Sequence, residues 1–139
     1  MKKSVSYSVV WSIILLSAFA FQMPQSYLEP DCDNPKKLTF RKDTLLFDTI
    51  KDGMVIPLEF HFVNSSCDTV KIHQVYTGCS CTDTKYIKEG IGPGDSSIVS
   101  LTFNSKGWGS EEGLLAEKHI YVLYNGGSQV IYFQGVVKK

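Results

Sequence analysis

The sequence predicts an all-β fold: a single immunoglobulin-like β-sandwich of about seven strands over residues 38–139, behind an N-terminal signal peptide. Three observations lead there. From Leu38 onward apolar residues recur with period two, and no helical period holds for three turns. Clusters of Gly, Pro, Asn and Asp separate these runs at residues 64–68, 91–95 and 125–127. A chain of 139 residues, 43% hydrophobic and 20% charged, suffices for one core and is too short for two domains of common size.

The elements follow in chain order. Lys2 and Lys3 precede an apolar run at residues 9–21. That run of about 13 residues fits a signal peptide and falls short of the roughly 20 that a spanning helix needs. Ala18-Phe19-Ala20 has the small-x-small form of a cleavage site, so residues 1–20 are expected to be removed and the mature chain to begin at Phe21. An uncleaved anchor is the alternative, and no cysteine directly follows the run to carry a lipid. Loss of Lys2 and Lys3 takes the 14 basic side chains to 12 against 14 acidic ones, a net charge near −2 with no basic stripe for nucleic acid. After cleavage no membrane span is expected.

Residues 21–37 form a leader segment. KLTFRKDTLLF, residues 37–47, reads as the first strand. In IPLEFHF, Ile56, Leu58, Phe60 and Phe62 point one way while Pro57, Glu59 and His61 point the other, a half-buried strand that Pro57 places at an edge. After the turn at residues 64–68, TVKIHQVY is expected to return as the second arm of a hairpin. CTDTKY adds a short strand, and the turn Ile91-Gly92-Pro93-Gly94-Asp95 introduces Val99, Leu101 and Phe103 on one face. HIYVLY and QVIYFQGVV form a hairpin across Asn125-Gly126-Gly127, residues suited to positive φ.

Several short motifs recur in a family-like order. F-x-F-x-N falls at Phe60, Phe62 and Asn64, Cys-x-Cys-Thr at Cys79 to Thr82, and Ile-x-Pro-Gly-Asp at Ile91 to Asp95. Val-x-Leu-x-Phe-Asn follows at Val99 to Asn104, then Lys106-Gly107. This order resembles the bacterial envelope proteins of the domain of unknown function fifteen-seventy-three, over about two-thirds of the mature chain. The resemblance implies a seven-stranded sandwich related to major-sperm-protein and cilia-associated domains, which bind or scaffold other proteins, and it implies no catalytic residues and no cofactor. It also implies the periplasm or cell envelope of a Gram-negative bacterium, and another envelope protein as partner. Two departures stand out: Ser80 occupies the usual glycine position between the cysteines, and Trp108 replaces the basic residue that often follows Lys-Gly.

Export exposes all four cysteines to an oxidising compartment. Cys67 precedes the strand at residues 69–76 and Cys79 lies beyond its far end, about 25–30 Å away at about 3.3 Å per residue. A disulfide needs Cα atoms within about 7 Å. Cys32 precedes the first strand, whose antiparallel pairing would return it to the Cys67 turn, so Cys32–Cys67 is the expected bridge. It would close a loop of about 35 residues and contribute about 2–4 kcal/mol. Cys79 and Cys81 are left to each other, with Gly78 and Ser80 permitting a turn tighter than an extended strand. A local staple, a redox pair and a Cu(I) site remain open for them. Two thiolates suit Cu(I), but only His73 is near in sequence and zinc wants four ligands.

No catalytic constellation is visible. His61, His73 and His119 fall inside strands, and neither a Gly-x-Ser-x-Gly elbow nor a phosphate-binding glycine loop occurs. The glycine-flanked Trp108 is a candidate partner contact, or else an indole folded back over the end of the sandwich. Asp43-Thr44-Leu45, Asp48-Thr49-Ile50 and Asp68-Thr69-Val70 resemble an O-glycosylation signal, and Asn64-Ser65-Ser66 fits an N-glycosylation pattern but reads as a turn. The expected function is therefore an exported binding or scaffolding module without enzymatic activity. A thiol-redox or Cu(I)-binding protein using Cys79 and Cys81 is the alternative.

Overall fold

The structure is a computed structural model that describes residues 37–139. The signal peptide, nearly all of the leader and Cys32 lie outside these residues. The described residues form nine strands and no helix: β1 (Leu38–Phe40), β2 (Thr44–Leu46), β3 (Ile50–Lys51), β4 (Val55–Asn64), β5 (Ile72–Thr77), β6 (Thr82–Lys85), β7 (Ser96–Asn104), β8 (Leu114–Tyr124) and β9 (Gly127–Lys138). One sheet has the order β1-β4-β7-β6 and the other β2-β9-β8-β5, with β3 also on β9. Their inner faces supply the core, in which Phe60, Phe62, Val99, Leu101, Phe103, Ile120, Val122, Ile131 and Phe133 are all buried.

The period-two runs hold in the long strands β4 and β7. β4 buries Leu58, Phe60 and Phe62 and exposes Pro57, Glu59 and His61. β7 buries Val99, Leu101 and Phe103 against it in an unbroken antiparallel register. Pro57 does sit at an open edge, because β1 covers only Phe62 to Asn64. β8 and β9 form the expected hairpin. Of the turn residues there, Gly127 alone takes a positive φ, 144°.

The expected first strand is not one strand. It breaks at residues 41–43 and changes sheets: β1 pairs antiparallel with β4, whereas β2 and β3 run parallel to β9. The break is tied on both sides, by Arg41 N–H to the His61 carbonyl (2.9 Å) and Tyr132 N–H to the Asp43 carbonyl (2.7 Å). The crossing delivers Phe47 to the core, 5.8 Å from Phe103 and 6.1 Å from Phe133 by ring centroids. The seven expected strands thus become nine: the first divides into β1 and β2, and β3 at Ile50–Lys51 is an additional strand.

The expected β4–β5 hairpin is also overturned. β5 lies in the opposite sheet and pairs with β8. The turn between them is a junction between sheets, organised by buried Asn64. Its Nδ2 donates to the carbonyls of Asp68 (2.8 Å) and Ile91 (2.9 Å). Its Oδ1 accepts from Ser66 N–H (3.0 Å) and Ser66 Oγ (2.6 Å). A glycan on Asn64 is incompatible with this burial. Within β5 a bulge between Ile72 and Gln74 shifts the period, so that Val75 fills the core and Tyr76 points outward to stack on Tyr121 at 5.0 Å.

The sandwich has two ends. The turns at residues 64–70, 88–95 and 125–126 gather at one, where Lys37 also enters, its carbonyl accepting from Ser65 N–H at 3.1 Å. Cys67 is exposed at this end and is disulfide-bonded; the Cys32 of the expected bridge lies outside the described residues. The β3–β4, β5–β6 and β7–β8 connections and the end of β9 gather at the other, the Cys79 end.

Candidate functional site

At the Cys79 end the chain crosses from β5 to β6, and therefore from one sheet to the other, in residues 78–81. The crossing demands a tight turn. Cys79 and Cys81 are joined in a disulfide with Cα atoms 5.2 Å apart. Gly78 contributes no special conformation, since it neither takes a positive φ nor sits against a neighbour. The turn is also held independently of the sulfurs: Thr77 Oγ1 donates to the Cys79 carbonyl (3.0 Å) and Asn104 N–H to the Cys81 carbonyl (2.9 Å). Cys81 N–H approaches Cys79 Sγ at 2.9 Å, and Thr82 Oγ1 lies 3.7 Å from Cys81 Sγ.

The sequence signals that stood apart come together here. Cys79, Ser80 and Cys81 line an open cleft of about 480 Å³ with Gly78, Asn104, Lys106 and Trp108. The β7–β8 loop that carries Trp108 is fixed by Asp52, whose Oδ1 accepts from Gly107 N–H (2.7 Å) and Trp108 N–H (3.3 Å). Gly107 needs its positive φ of 82° for that turn, which explains the Lys-Gly pair in physical terms. Trp108 does fold back, with its ring edge-on to Phe103 at 6.3 Å, yet it stays half-buried and forms one wall of the cleft.

Lys118 was not singled out from the sequence, although a signal existed. In LLAEKHIYVLY the inward positions are Ala116, Lys118, Ile120 and Val122, so a lysine stands in an apolar series. It is half-buried, and its Nζ lies 3.8 Å from the centre of the Trp108 ring. Burial holds its pKa below the usual 10.5.

Beside the cleft, β8 outruns β5. Their pairing ends at Thr77 and Ile120, so residues 114–119 have β9 on one side and, among the described residues, no strand on the other. Leu114 (47% exposed) and Leu115 (58%) lie on that overhang, and Met54 and Val55 are exposed at the same end. The three histidines are scattered: His61 near Glu59, His73 on the bulged β5, and His119 edge-on to Tyr132 and 3.2 Å from Glu117. Among the described residues no three His, Cys, Asp or Glu side chains gather as a metal site. No helix among the described residues is long and apolar enough to cross a membrane.

The fold is shared with solved structures at low identity. A protein of unknown function from Porphyromonas gingivalis aligns with a TM-score of 0.62 and 14% identity, over 76% of this chain and 48% of that one. The ASH/PapD-like domain of human CEP192 aligns with a TM-score of 0.56 and 14% identity, over 76% and 87%. The VesB protease of Vibrio cholerae reaches 0.51 at 11% identity, over 77% and 32%. The chain thus spans about half the length of the first and a third of the protease, and what it shares with them is the fold. No curated protein matches its sequence. The family profile matches residues 38–137, all of the sandwich but its last two residues, and the chain belongs to the family described as Protein of unknown function (DUF1573).

Proposed function

We propose that the domain is an exported, non-enzymatic binding module of the bacterial cell envelope that engages an extended segment of another envelope protein at its Cys79 end. The overhang of β8 carries this proposal. An unpaired strand edge offers backbone donors and acceptors to an added strand, and exposed Leu114 and Leu115 supply apolar contact beside it. The inward Lys118 restrains indiscriminate pairing of that edge, as charged residues on natural edge strands do. The scattered histidines support contact over turnover. A copper site is the weaker reading, because among the described residues no third His, Cys, Asp or Glu side chain joins the two cysteines.

Site-specific photo-crosslinking in the native envelope tests the proposal. A photo-reactive residue at Leu115 should yield a discrete protein adduct, and one at exposed Lys88, at the other end, should not. Equal adducts from both positions, or none from Leu115, would sink it.

A further inference from the structure

We propose that the Cys79–Cys81 disulfide is an exchange site, which oxidises cysteine thiols of the polypeptide segment seated at this end; the identity of that substrate rests on the binding proposal above. The bond is placed for reaction and is little needed for the fold. Both cysteines are half-buried and line the cleft. Their bridge spans one intervening residue, so it removes little entropy from the unfolded chain. The bonds from Thr77 Oγ1 and Asn104 N–H, together with the pairing of Thr82 with Phe103, hold the turn whether the sulfurs are joined or not.

The surroundings favour thiolate. Lys106 is the charged side chain that lines the cleft, no carboxylate lines it, and the Lys118 ammonium rests on the Trp108 wall. Cys81 N–H points at Cys79 Sγ, and the Thr82 hydroxyl is placed to donate to Cys81 Sγ. Cationic neighbours and hydrogen-bond donors stabilise a sulfur that acquires charge.

Both sulfurs belong to cleft-lining residues, but Cys81 packs against the hydrophobic core and Cys79 does not, which favours Cys79 Sγ as the point of attack. The incoming thiolate therefore attacks Cys79 Sγ. A bond forms between the substrate sulfur and Cys79 as the Cys79–Cys81 bond breaks, and Cys81 leaves as the thiolate. A second substrate thiolate then attacks the substrate sulfur of this mixed disulfide and releases Cys79. Two electrons and two protons pass from the substrate dithiol, which becomes a disulfide, to Cys79 and Cys81, which become thiols. The exchange is stoichiometric and invokes no other oxidant.

The test titrates the intact mature protein with dithiothreitol as the dithiol probe and quantifies alkylated cysteines by peptide mass. Cys79 and Cys81 should open at roughly tenfold lower dithiothreitol than Cys67, with the melting transition retained. In a Cys81→Ser variant, oxidised glutathione should form a stable adduct on Cys79, and in Cys79→Ser the Cys81 thiol should react several-fold more slowly. Joint opening of all the cysteines, or opening only on unfolding, would overturn the proposal. Equal reactivity of the two variants would overturn the assigned direction of attack. Failure of the Leu115 crosslink with a positive dithiothreitol result would remove the docking proposal and leave the exchange chemistry standing.

Discussion

Lys118 Nζ lies 3.8 Å from the centroid of the Trp108 ring, so the one inward lysine of β8 is paired with the one tryptophan of the β7–β8 loop. The contact joins the open edge of β8 to the wall of the cysteine cleft. Trp108→Ala removes both the cation–π contact and the edge-on packing on Phe103. A loss of about 2 kcal/mol is expected, between an exposed cation–π pair and a fully buried aromatic. The melting temperature should fall by roughly 4–8 °C for each kcal/mol in a domain of this size. A variant that melts with the wild type would show that Trp108 takes no part in closing this end.

Lys118 also gives the stability a pH signature. Its folded pKa is lowered by burial, so between that lowered value and 10.5 the unfolded chain binds more protons than the folded one. The contribution of Lys118 to stability therefore rises as pH climbs through that window. Below the window both states are protonated and the desolvation cost is fully present. The ammonium is largely solvated, so the effect is small. Urea unfolding of wild type and Lys118→Met across the alkaline range should show a positive slope difference, and parallel curves would refute it.

Asn64 is the keystone of the opposite end. Its side chain makes four hydrogen bonds at zero exposure, two as donor and two as acceptor. Asn64→Ala should cost about 3 kcal/mol, because the buried Ser66 amide and hydroxyl lose their shared acceptor and the carbonyls of Asp68 and Ile91 each lose one of two donors. Asn64→Asp keeps the shape but turns a carboxylate oxygen toward those two carbonyls, so it should be no better. Chemical denaturation of both variants decides the matter.

What was legible in the sequence was whatever depends on local period and turn chemistry. β4, β7 and the β8–β9 hairpin could be read because each alternates cleanly between core and solvent. The sheet change at Arg41 to Asp43 could not, because KLTFRKDTLLF keeps its apolar spacing across a break made by partners in β4 and β9. The β4–β5 junction misled for a related reason: residues 64–68 have turn composition, and composition does not say which sheet the chain enters next. Cys79, Cys81 and Trp108 were each visible as motifs. Their convergence on one cleft was not, since it depends on Asp52 pinning a loop more than fifty residues away. Lys118 was readable in principle from its inward parity.

Gly135 marks a close approach that should tolerate no side chain. It lies on the inner face of β9, and a Cβ there would collide with the ring and the carbonyl oxygen of Phe47. The ring could shift only by losing its contacts with Phe103 and Phe133, and the carbonyl only by separating the segment after β2 from β9. Gly135→Ala is expected to cost about 3 kcal/mol. Adding Phe47→Ala should cost less than it does alone, because the two changes share one space. Full additivity in a double-mutant cycle would place Phe47 elsewhere.

The turn at Cys79 and Cys81 should prove structurally forgiving. Replacing both with serine removes a bridge across a single residue and leaves the hydrogen bonds of Thr77 and Asn104 and the β6–β7 ladder in place. The expected loss is below about 1 kcal/mol, since little unfolded-state entropy was removed by so short a link. Loss of the Cys67 bridge should cost more, about 2–4 kcal/mol, if the pairing with Cys32 and its loop of about 35 residues are as expected. Non-reducing peptide mapping tests that pairing directly. Copper supplies the counter-test: two thiolates without a third ligand make a sparse soft-metal site, so Cu(I) added to reduced protein should leave the melting temperature unchanged. A rise that disappears in the double serine variant would mean that the cleft holds a metal after all, with the missing ligand supplied from outside the described residues.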